Sequence, residues 1–144
     1  MTELDLNRIE HILNISLPRE YREAVCPYPF APDSSLADYA LPNDADRVIE
    51  MNILSRECEW NGEASPIHWF VFGHDGGECS FFLDLTISHS PVFAISIEGG
   101  GPYEEAPTLA AFIESYLQID QEFDREIAAK AAKRRERKWW QFWK

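Results

Sequence analysis

The sequence lacks an apolar run long enough to cross a membrane. A transmembrane helix needs about 20 consecutive apolar residues, and every apolar stretch here is much shorter. The first six residues, Met1 to Leu6, include two acidic side chains in place of the basic start and apolar block of an export signal. The sequence therefore predicts a cytoplasmic protein.

Cysteine is also scarce. The chain has three cysteines, Cys26, Cys58 and Cys79, and they form neither a close pair nor a spacing typical of metal ligands. An odd number suits a reducing compartment better than a disulfide framework. We expect each to be a small buried or half-buried side chain, with no metal bound.

Basic residues are rare outside the C-terminal end. The chain has 13 Lys and Arg against 25 Asp and Glu, a net charge of -12. Residues 128–144 hold seven basic residues and one acidic residue, a charge of +6, so residues 1–127 carry -18. Such an acidic body repels nucleic acid and anionic lipid and attracts basic protein surfaces. The charge predicts a basic protein partner; the alternative is that it serves solubility alone.

What the chain does have is enough apolar surface for one core. It is 144 residues long, 45% hydrophobic and 13% aromatic, which is typical of a folded domain. Apolar residues at helical spacing and residues suited to capping predict four helices. These are Leu6–Leu13 capped by Asp5 or Asn7, Arg19–Val25 after Pro18, a helix from Asn43 or Asp44 through Arg56, and one capped by Thr108. The side chains expected on the apolar sides of the first, third and fourth helices are Leu6, Ile9, Ile12 and Leu13; Val48, Ile49, Ile53 and Met51; and Leu109, Phe112, Ile113, Tyr116 and Leu117.

The strongest local signal is a β-hairpin between Ile67 and Leu85. Nearly every residue of Ile67–Phe72 is apolar or aromatic, and Phe81–Leu83 resumes the pattern after a polar turn. Gly73, Gly76 and Gly77 are predicted to take positive φ angles there, with His74 in the turn and Asp75 holding it. We also expect a strand at Pro91–Ile97, a short edge strand at Ala37–Leu41 and a turn at Trp60–Glu63.

Histidines and acids near this hairpin raise the question of a metal site or a nucleophile. Their spacing does not match known ligand pairs, because the residues fall on alternate faces of the predicted strands. Cys79 has acidic neighbours that would raise its pKa, which disfavours a Cys/His nucleophile. We therefore expect neither a metal nor a catalytic group among His68, His74, Cys79, Asp84 and His89.

The C-terminal segment, residues 119–144, differs from the rest. It is predicted to be a basic helix ending in an aromatic cluster. It could dock in a groove of its own domain or of a second copy, or lie at a lipid surface, where aromatic rings favour the headgroup level. Nucleic acid is the least favoured partner. The residues expected to dock are Lys133, Arg134, Arg135, Trp139, Trp140, Phe142 and Trp143.

The order of these signals resembles the SUKH superfamily, which includes fungal cell-wall assembly regulators and bacterial toxin-immunity proteins. The resemblance covers roughly residues 4–118, and Glu78 stands where a third glycine often ends the family's turn. The extent of the resemblance divides the chain into a domain at residues 1–118 and a helical tail at residues 119–144. The segments that carry it are Leu6–Leu13, Leu17-Pro18, Phe72–Gly77, Leu83-Asp84, Pro91-Val92 and Thr108–Leu117.

The resemblance implies an α+β fold, an antiparallel sheet with helices packed on it, followed by the helical tail. It also implies a non-catalytic protein-binding module without cofactors, an immunity protein that neutralises a cognate toxin. The acidic charge suits a basic, nuclease-type toxin. The expected partner-binding residues are the acids Asp75, Glu78, Glu98, Glu104 and Glu105, with Trp60 or Tyr103 as an aromatic anchor.

Two other functions stay open on sequence grounds. One is a cytoplasmic regulatory adaptor that recognises its target, or a membrane, through the tail. The other is a metal-dependent enzyme of unrecognised type. The sequence allows a monomer or a homodimer.

Overall fold

The computed structural model describes residues 1–31, 34–57, 59–60, 63–96, 98 and 101–141, the side chains at 35, 37, 59, 60, 63, 124 and 134–141 excepted. Within them the chain forms four α-helices, one 3₁₀ helix and six strands. The helices are α1 Glu3–Leu13, α2 Arg19–Val25, the 3₁₀ helix Ser35–Asp38, α3 Ala45–Glu57 and α4 Leu109–Gln141. The strands are β1 Glu59–Trp60, β2 Glu63–Ala64, β3 Trp69–His74, β4 Cys79–Asp84, β5 Val92–Ser96 and β6 Tyr103–Ala106.

The main sheet is antiparallel, with strand order β3-β4-β5-β6 in the described part of the chain, and β1 and β2 pair as a separate antiparallel ribbon. One face of the main sheet builds the principal core with the helices, around fully buried Tyr21, Phe70, Phe72 and Phe112. This α+β architecture confirms the predicted fold class.

The opposite face of the sheet carries a smaller apolar cluster. Phe82 lies at its centre, with its ring stacked between Trp69 at 4.2 Å and Phe93 at 5.5 Å between centroids. Met51 of α3 packs against this cluster as well as against the main core. Both faces of β3 and β4 are therefore apolar, which accounts for their nearly continuous apolar sequence.

Helix α1 begins earlier than predicted because its cap is Thr2, not Asp5 or Asn7. The Thr2 hydroxyl accepts from the Asp5 N–H at 3.3 Å, and the Asp5 carboxylate accepts from the Thr2 N–H at 2.8 Å. This capping box satisfies two N–H groups at the start of the helix. Leu6, Ile9 and Leu13 are buried, whereas Ile12, expected on the same face, is exposed.

Helix α2 has the predicted bounds, and α3 has the predicted cap. The Asp44 carboxylate accepts from the N–H groups of Asp46 at 2.8 Å and Arg47 at 3.3 Å. The predicted buried side of α3 is wrong in one respect, since Ile53 is exposed and Asn52 takes a fully buried position.

Asn52 closes the outer edge of β3, the first strand of the sheet. Its side-chain oxygen accepts from the Val71 N–H at 2.9 Å. Its side-chain nitrogen donates to the carbonyl oxygens of Val71 at 2.6 Å and Val48 at 2.8 Å. The amide thus replaces the neighbouring strand that an edge residue lacks.

The segment predicted as an edge strand, Ala37–Leu41, is instead the end of the 3₁₀ helix and a turn. Leu36, Ala40 and Leu41 are buried there, a spacing that alternation along a strand does not produce. The Tyr39 carbonyl accepts from the His74 N–H at 2.8 Å. The turn therefore covers the edge of β3 next to the Asn52 contact.

Of the three glycines in the hairpin, Gly76 has the predicted positive φ, whereas the prediction is wrong for Gly73 and Gly77. Gly76 has a positive φ of 84°, as the turn requires. Gly73 lies within β3, where an added Cβ would stand 2.1 Å from the Ala40 carbonyl oxygen, so it is needed for close approach of the chain. His74, expected in the turn, is the last residue of β3.

Strand β6 was not predicted. Glu104 and Glu105, for which no strand was predicted, lie within β6, and Glu104 is paired with Phe93 of β5. Val92 is opposite Ala106 and Phe93 is opposite Glu104, so Glu105 is an extra residue at a bulge. The bulge interrupts the alternation that would identify a strand.

Helix α4 runs without a break through the predicted domain boundary at 118. Thr108 caps it as predicted, accepting from the Ala111 N–H at 3.1 Å. The Ser34 hydroxyl donates to Asp120 at 2.9 Å, near the point where the helix leaves the body. After Asp120, the described side chains of α4 are all exposed. The division into two domains stays a prediction.

The buried ring of Tyr21 yields a first testable prediction. It packs edge-on against Phe70, and its hydroxyl has no hydrogen-bond partner among the described residues. Desolvation raises the pKa of Tyr21 above its usual value. Burying an unsatisfied polar group costs about 1–3 kcal/mol, so we expect Tyr21→Phe to leave the free energy of unfolding in urea unchanged or to raise it by about 1 kcal/mol.

Tyr28→Phe is the matched control, because the Tyr28 hydroxyl donates to the Leu41 carbonyl oxygen. The same chemical change there is expected to lower the free energy of unfolding by about 1 kcal/mol. A loss of stability in Tyr21→Phe as large as in Tyr28→Phe would contradict the prediction.

Candidate functional site

The site begins at the turn between β3 and β4. Asp75 accepts through one carboxylate oxygen from the N–H groups of Gly77 at 2.8 Å and Cys79 at 3.1 Å, as its predicted role in the turn requires. Desolvation raises the pKa of this carboxyl, but the hydrogen bonds from Gly77 and Cys79 outweigh it, and the net pKa is lower than usual. Asp75 therefore stays ionised at neutral pH and exposed on the surface.

This lowered pKa predicts a pH dependence of stability. The contribution of the Asp75 charge is fully present above the unfolded-state pKa of about 3.8 and is lost as pH falls through the lower folded-state value. In Asp75→Asn the side-chain oxygen can still accept the turn hydrogen bonds, but the charge is gone. We expect the free energy of unfolding of this variant, followed in urea between pH 7 and pH 3, to fall less steeply below about pH 4 than in the unmodified protein. Parallel curves would contradict this role.

Tyr103 contacts the same turn from β6, the strand at the other edge of the sheet from β3. It is paired with Ala94 of β5, which in turn is paired with Phe81 of β4. The Tyr103 hydroxyl lies 3.7 Å from Cys79 Sγ and donates to it. This hydrogen bond, then desolvation and the nearby negative charges, raises the pKa of Tyr103 to about 12. The phenol is therefore a neutral hydrogen-bond donor at physiological pH.

Helix α4 adds Tyr116 beside these groups. Desolvation raises the pKa of Tyr116, followed by the negative charges of Glu105 and Asp75 and by Tyr39 and Tyr103. The Tyr116 ring lies 5.9 Å from the ring of Phe81, which is paired with Gly73 near the end of β3. Asp75, Tyr103 and Glu105 are exposed, while Tyr39 and Tyr116 are half-buried. We call Tyr39, Asp75, Tyr103, Glu105 and Tyr116 the acidic-tyrosine surface.

His74 packs beside Tyr39 at the edge of the acidic-tyrosine surface. The His74 ring lies 5.9 Å from the Tyr39 ring, and its Nδ1 accepts from the Gly76 N–H at 3.1 Å. Desolvation, then the charge of Arg47 at 3.3 Å from Nε2, lowers the pKa of His74. His74 is thus neutral at pH 7 and adds no charge to the surface.

The structure brings some of the predicted partner-binding residues together and separates others. Asp75 and Tyr103 both contact Cys79 at the hairpin turn, and Glu105 is exposed on β6 two residues from Tyr103. Glu104 is on the opposite face of the sheet, because it is paired with Phe93. Glu78 is exposed in the hairpin turn and Glu98 is exposed after β5. The side chain of Trp60 lies outside the described residues.

Sequence reasoning missed Tyr39 and Tyr116. Tyr39 follows the 3₁₀ helix, and its ring would lie 3.6 Å from a Cβ added at Gly76. Tyr116 was assigned to the core, where it does contact Phe112 at 4.6 Å between ring centroids. Nothing in their local sequence indicates that both rings also border the hairpin turn.

The predicted tail residues lie along or beyond the end of α4. Lys133 is exposed on the helix. Helix α4 includes the positions of Arg134, Arg135, Trp139 and Trp140, but the side chains of these four residues are not described. Phe142 and Trp143 lie wholly outside the described residues. Tail docking and the adaptor function stay predictions. None of the helices in the described part of the chain combines the length and apolar character that a bilayer span requires.

The histidines and Cys79 do not converge on one point. His68 Nε2 lies 3.8 Å from Asp84, His89 Nδ1 lies 3.9 Å from Glu20, and the Cys79 thiol contacts Tyr103. Among the described residues, no group of three or more His, Cys, Asp or Glu side chains is placed to hold a metal ion.

The geometry of the site is therefore that of an exposed surface with tyrosines and carboxylates. Comparison with curated proteins and with solved structures gives no match. A family profile does match, over residues 1–115, which covers the sheet, the hairpin turn and the first two turns of α4. The chain belongs to the SMI1 / KNR4 family (SUKH-1).

Proposed function

We propose that this protein is a non-catalytic binding module whose acidic-tyrosine surface binds a basic surface of a partner protein, and that the partner is a toxin domain that it neutralises. The single observation that carries the proposal is the convergence of Asp75, Tyr103 and Tyr39 at the exposed hairpin turn, where Asp75 and Tyr103 both contact Cys79 and the Tyr39 ring lies beside Gly76. Membership of the SMI1 / KNR4 family supports a protein-interaction or immunity-type module in general.

The chemistry of the surface suits a protein partner. Tyrosine side chains supply large apolar area together with a hydroxyl, and they are enriched among the residues that dominate binding energy. Tyr103 and Tyr116 have raised pKa values, so both stay neutral, and the Tyr103 hydroxyl, which donates to Cys79, can accept a hydrogen bond from a lysine or arginine of the partner. The carboxylates beside them favour lysine and arginine side chains on that partner.

The charge of the whole body supports the same partner class. Residues 1–127 carry a formal charge of -18. Such a field speeds association with a basic protein and makes the rate fall as salt increases. A nuclease-type toxin, which binds phosphates through a basic surface, is a partner of this kind.

The test uses each toxin domain that is found encoded beside the gene for this protein. The protein is co-expressed with that domain, and cell growth and the dissociation constant of the purified pair are measured. We expect rescue of growth by the unmodified protein. Glu78→Lys combined with Glu105→Lys reverses the charge of Glu105 on the acidic-tyrosine surface and of Glu78 in the same hairpin turn as Asp75, and we expect it to abolish rescue and to raise the dissociation constant at least about tenfold.

Glu50→Lys combined with Glu57→Lys is the matched control. Both residues are exposed on α3, and the net charge changes by the same amount. We expect this control to rescue growth and to bind as the unmodified protein does. Equal loss in both double variants would show that net charge alone acts, and failure of rescue by the unmodified protein would count against the toxin partner.

A further inference from the structure

The two edges of the main sheet differ in how their backbone groups are satisfied. The outer edge of β3 is closed, because the Asn52 side chain bonds both the N–H and the carbonyl oxygen of Val71. The Tyr39 carbonyl adds a further hydrogen bond to that edge. At the other edge, β6 pairs with β5 and makes no further backbone hydrogen bond within the part of the chain that the structure describes. Residues 103–105 of β6 are exposed. We call β6 the open edge.

An open edge has backbone groups that can pair with another strand. In an antiparallel ladder, alternate residues direct their N–H and C=O groups away from the neighbouring strand. A segment of another protein can satisfy such groups by adding to the sheet as one more strand. Pro102 and Pro107 flank β6 and have no N–H to donate. An added strand would therefore pair along Tyr103–Ala106.

The charges of β6 decide which kind of strand can be added. Two of its four residues are the exposed glutamates Glu104 and Glu105. If β6 of a second copy were added, these carboxylates would lie beside carboxylates, which destabilises a pair of strands. The bulge at Glu105 and the shortness of β6 also resist pairing with a copy. An extended segment with lysine or arginine has the opposite charge and is favoured by the same carboxylates.

The pairing of β6 with β5 indicates which residues such a segment needs. Glu104 is paired with Phe93, and Tyr103 is paired with Ala94, so Glu104 and Tyr103 lie on opposite faces of the sheet. A residue of the added strand directly opposite Glu104 would have its Cβ about 4.5–5.5 Å from that of Glu104, within reach of an ion pair for a lysine or arginine. The next residue falls on the other face beside Tyr103, where a β-branched side chain pairs well with an aromatic ring.

We infer that the open edge is a docking site, and that an extended basic segment of a partner protein adds to β6 as a fifth strand of the main sheet. Lysine or arginine of that segment lies opposite Glu104, and a β-branched residue lies opposite Tyr103. Tyr103 and Glu105 also belong to the acidic-tyrosine surface, so as a mode of toxin binding this inference rests on the proposed function. Glu104 lies outside that surface and allows a separate test.

A synthetic peptide tests the open edge without any toxin. The peptide acetyl-Lys-Val-Lys-Val-Lys-Val-Lys-amide has the required alternation, and its dissociation constant with the full-length protein is measured by calorimetry at low salt. The matched control is the same peptide with N-methyl groups on all internal residues. This control keeps the charge but lacks the N–H groups that pair with a strand. We expect its dissociation constant to be at least about tenfold higher.

Glu104→Lys tests the position of the peptide. It reverses the charge on β6 that faces the basic residue, and we expect it to raise the dissociation constant of the unmethylated peptide at least about tenfold. Glu50→Lys is the control, since Glu50 is exposed on α3 and the net charge changes by the same amount. We expect a change of no more than about twofold there. Both altered side chains are exposed, so folding should be retained, as circular dichroism would show.

Hydrogen exchange followed by NMR identifies the backbone groups that the peptide covers. When the peptide is bound to the unmodified protein, we expect the outward amide protons of β6 to exchange with solvent at least about tenfold more slowly. The amide proton of Val71 lies at the closed edge, where Asn52 already accepts from it. Its exchange rate should not change.

Four results would overturn the inference. They are the absence of peptide binding at low salt, equal affinity for the two peptides, equal weakening by Glu104→Lys and Glu50→Lys, and unchanged exchange along β6. A dimer that forms without peptide and protects the β6 amides would instead identify a second copy as the occupant. Because no toxin is used, failure of growth rescue leaves a positive peptide result standing, and failure of peptide binding leaves the toxin partner standing.

Discussion

Gly73→Ala is expected to lower the free energy of unfolding by about 3 kcal/mol or more, because the methyl group would enter space filled by backbone. An added Cβ would stand 2.1 Å from the Ala40 oxygen and 2.9 Å from the Tyr39 oxygen. These atoms belong to the turn that covers β3, so the new side chain cannot be accommodated by moving a flexible neighbour. The hydrogen bond from His74 N–H to the Tyr39 carbonyl would be lost as the turn moves away.

Gly101→Ala is the control for this prediction. A Cβ added at Gly101 meets nothing within 4 Å among the described residues, so we expect a change within about 0.5 kcal/mol. Urea unfolding at pH 7 measures both variants. If Gly73→Ala lowered the free energy of unfolding no more than Gly101→Ala does, the turn could not lie as close to β3 as the structure has it.

Asn52→Leu is expected to lower the free energy of unfolding by about 3 kcal/mol, a loss close to that expected for Gly73→Ala. Leucine has a similar volume, but it leaves the N–H and carbonyl oxygen of Val71 buried without the partners that Asn52 provides. The loss of stability therefore comes from the missing hydrogen bonds of Val71 and not from a cavity. The amide proton of Val71 should also exchange with solvent faster.

Ser55→Ala is the control for Asn52→Leu. Ser55 is buried on the same helix, but its hydroxyl donates to the Asn52 carbonyl of the helix backbone and reaches no strand. We expect a loss of less than about 1 kcal/mol and unchanged exchange at Val71. Unchanged stability and exchange in Asn52→Leu would show that the edge of β3 is held in another way.

The sequence allows much of this fold to be predicted, because local signals fix the hairpin and most of the helices. Asp44 and Thr108 cap helices as expected, and Gly76 takes the positive φ that the turn needs. Longer-range packing decides the parts that were wrong. Gly73 depends on a turn more than thirty residues earlier in the chain, and the bulge at Glu105 hides β6.

The candidate site is less predictable than the fold. Asp75 was expected in it because it belongs to the hairpin, and Tyr103 because it is aromatic next to acidic residues. Glu104 and Glu105 are adjacent in sequence, yet Glu104 pairs with Phe93, whereas Glu105 is the extra residue of the bulge and its charge raises the pKa of Tyr116. The role of Tyr39 and Tyr116 follows from how the helices pack on the sheet, which local patterns do not encode.

The half of α4 beyond Asp120 also has a practical consequence. The first lysine of the sequence is Lys130, so all the lysines lie in the last fifteen residues. A dye or a sensor chip coupled through lysine amines would attach within this C-terminal segment and leave Asp75, Tyr103 and Glu105 unmodified. Immobilised that way, the chain would keep the acidic-tyrosine surface free for the proposed partner in solution.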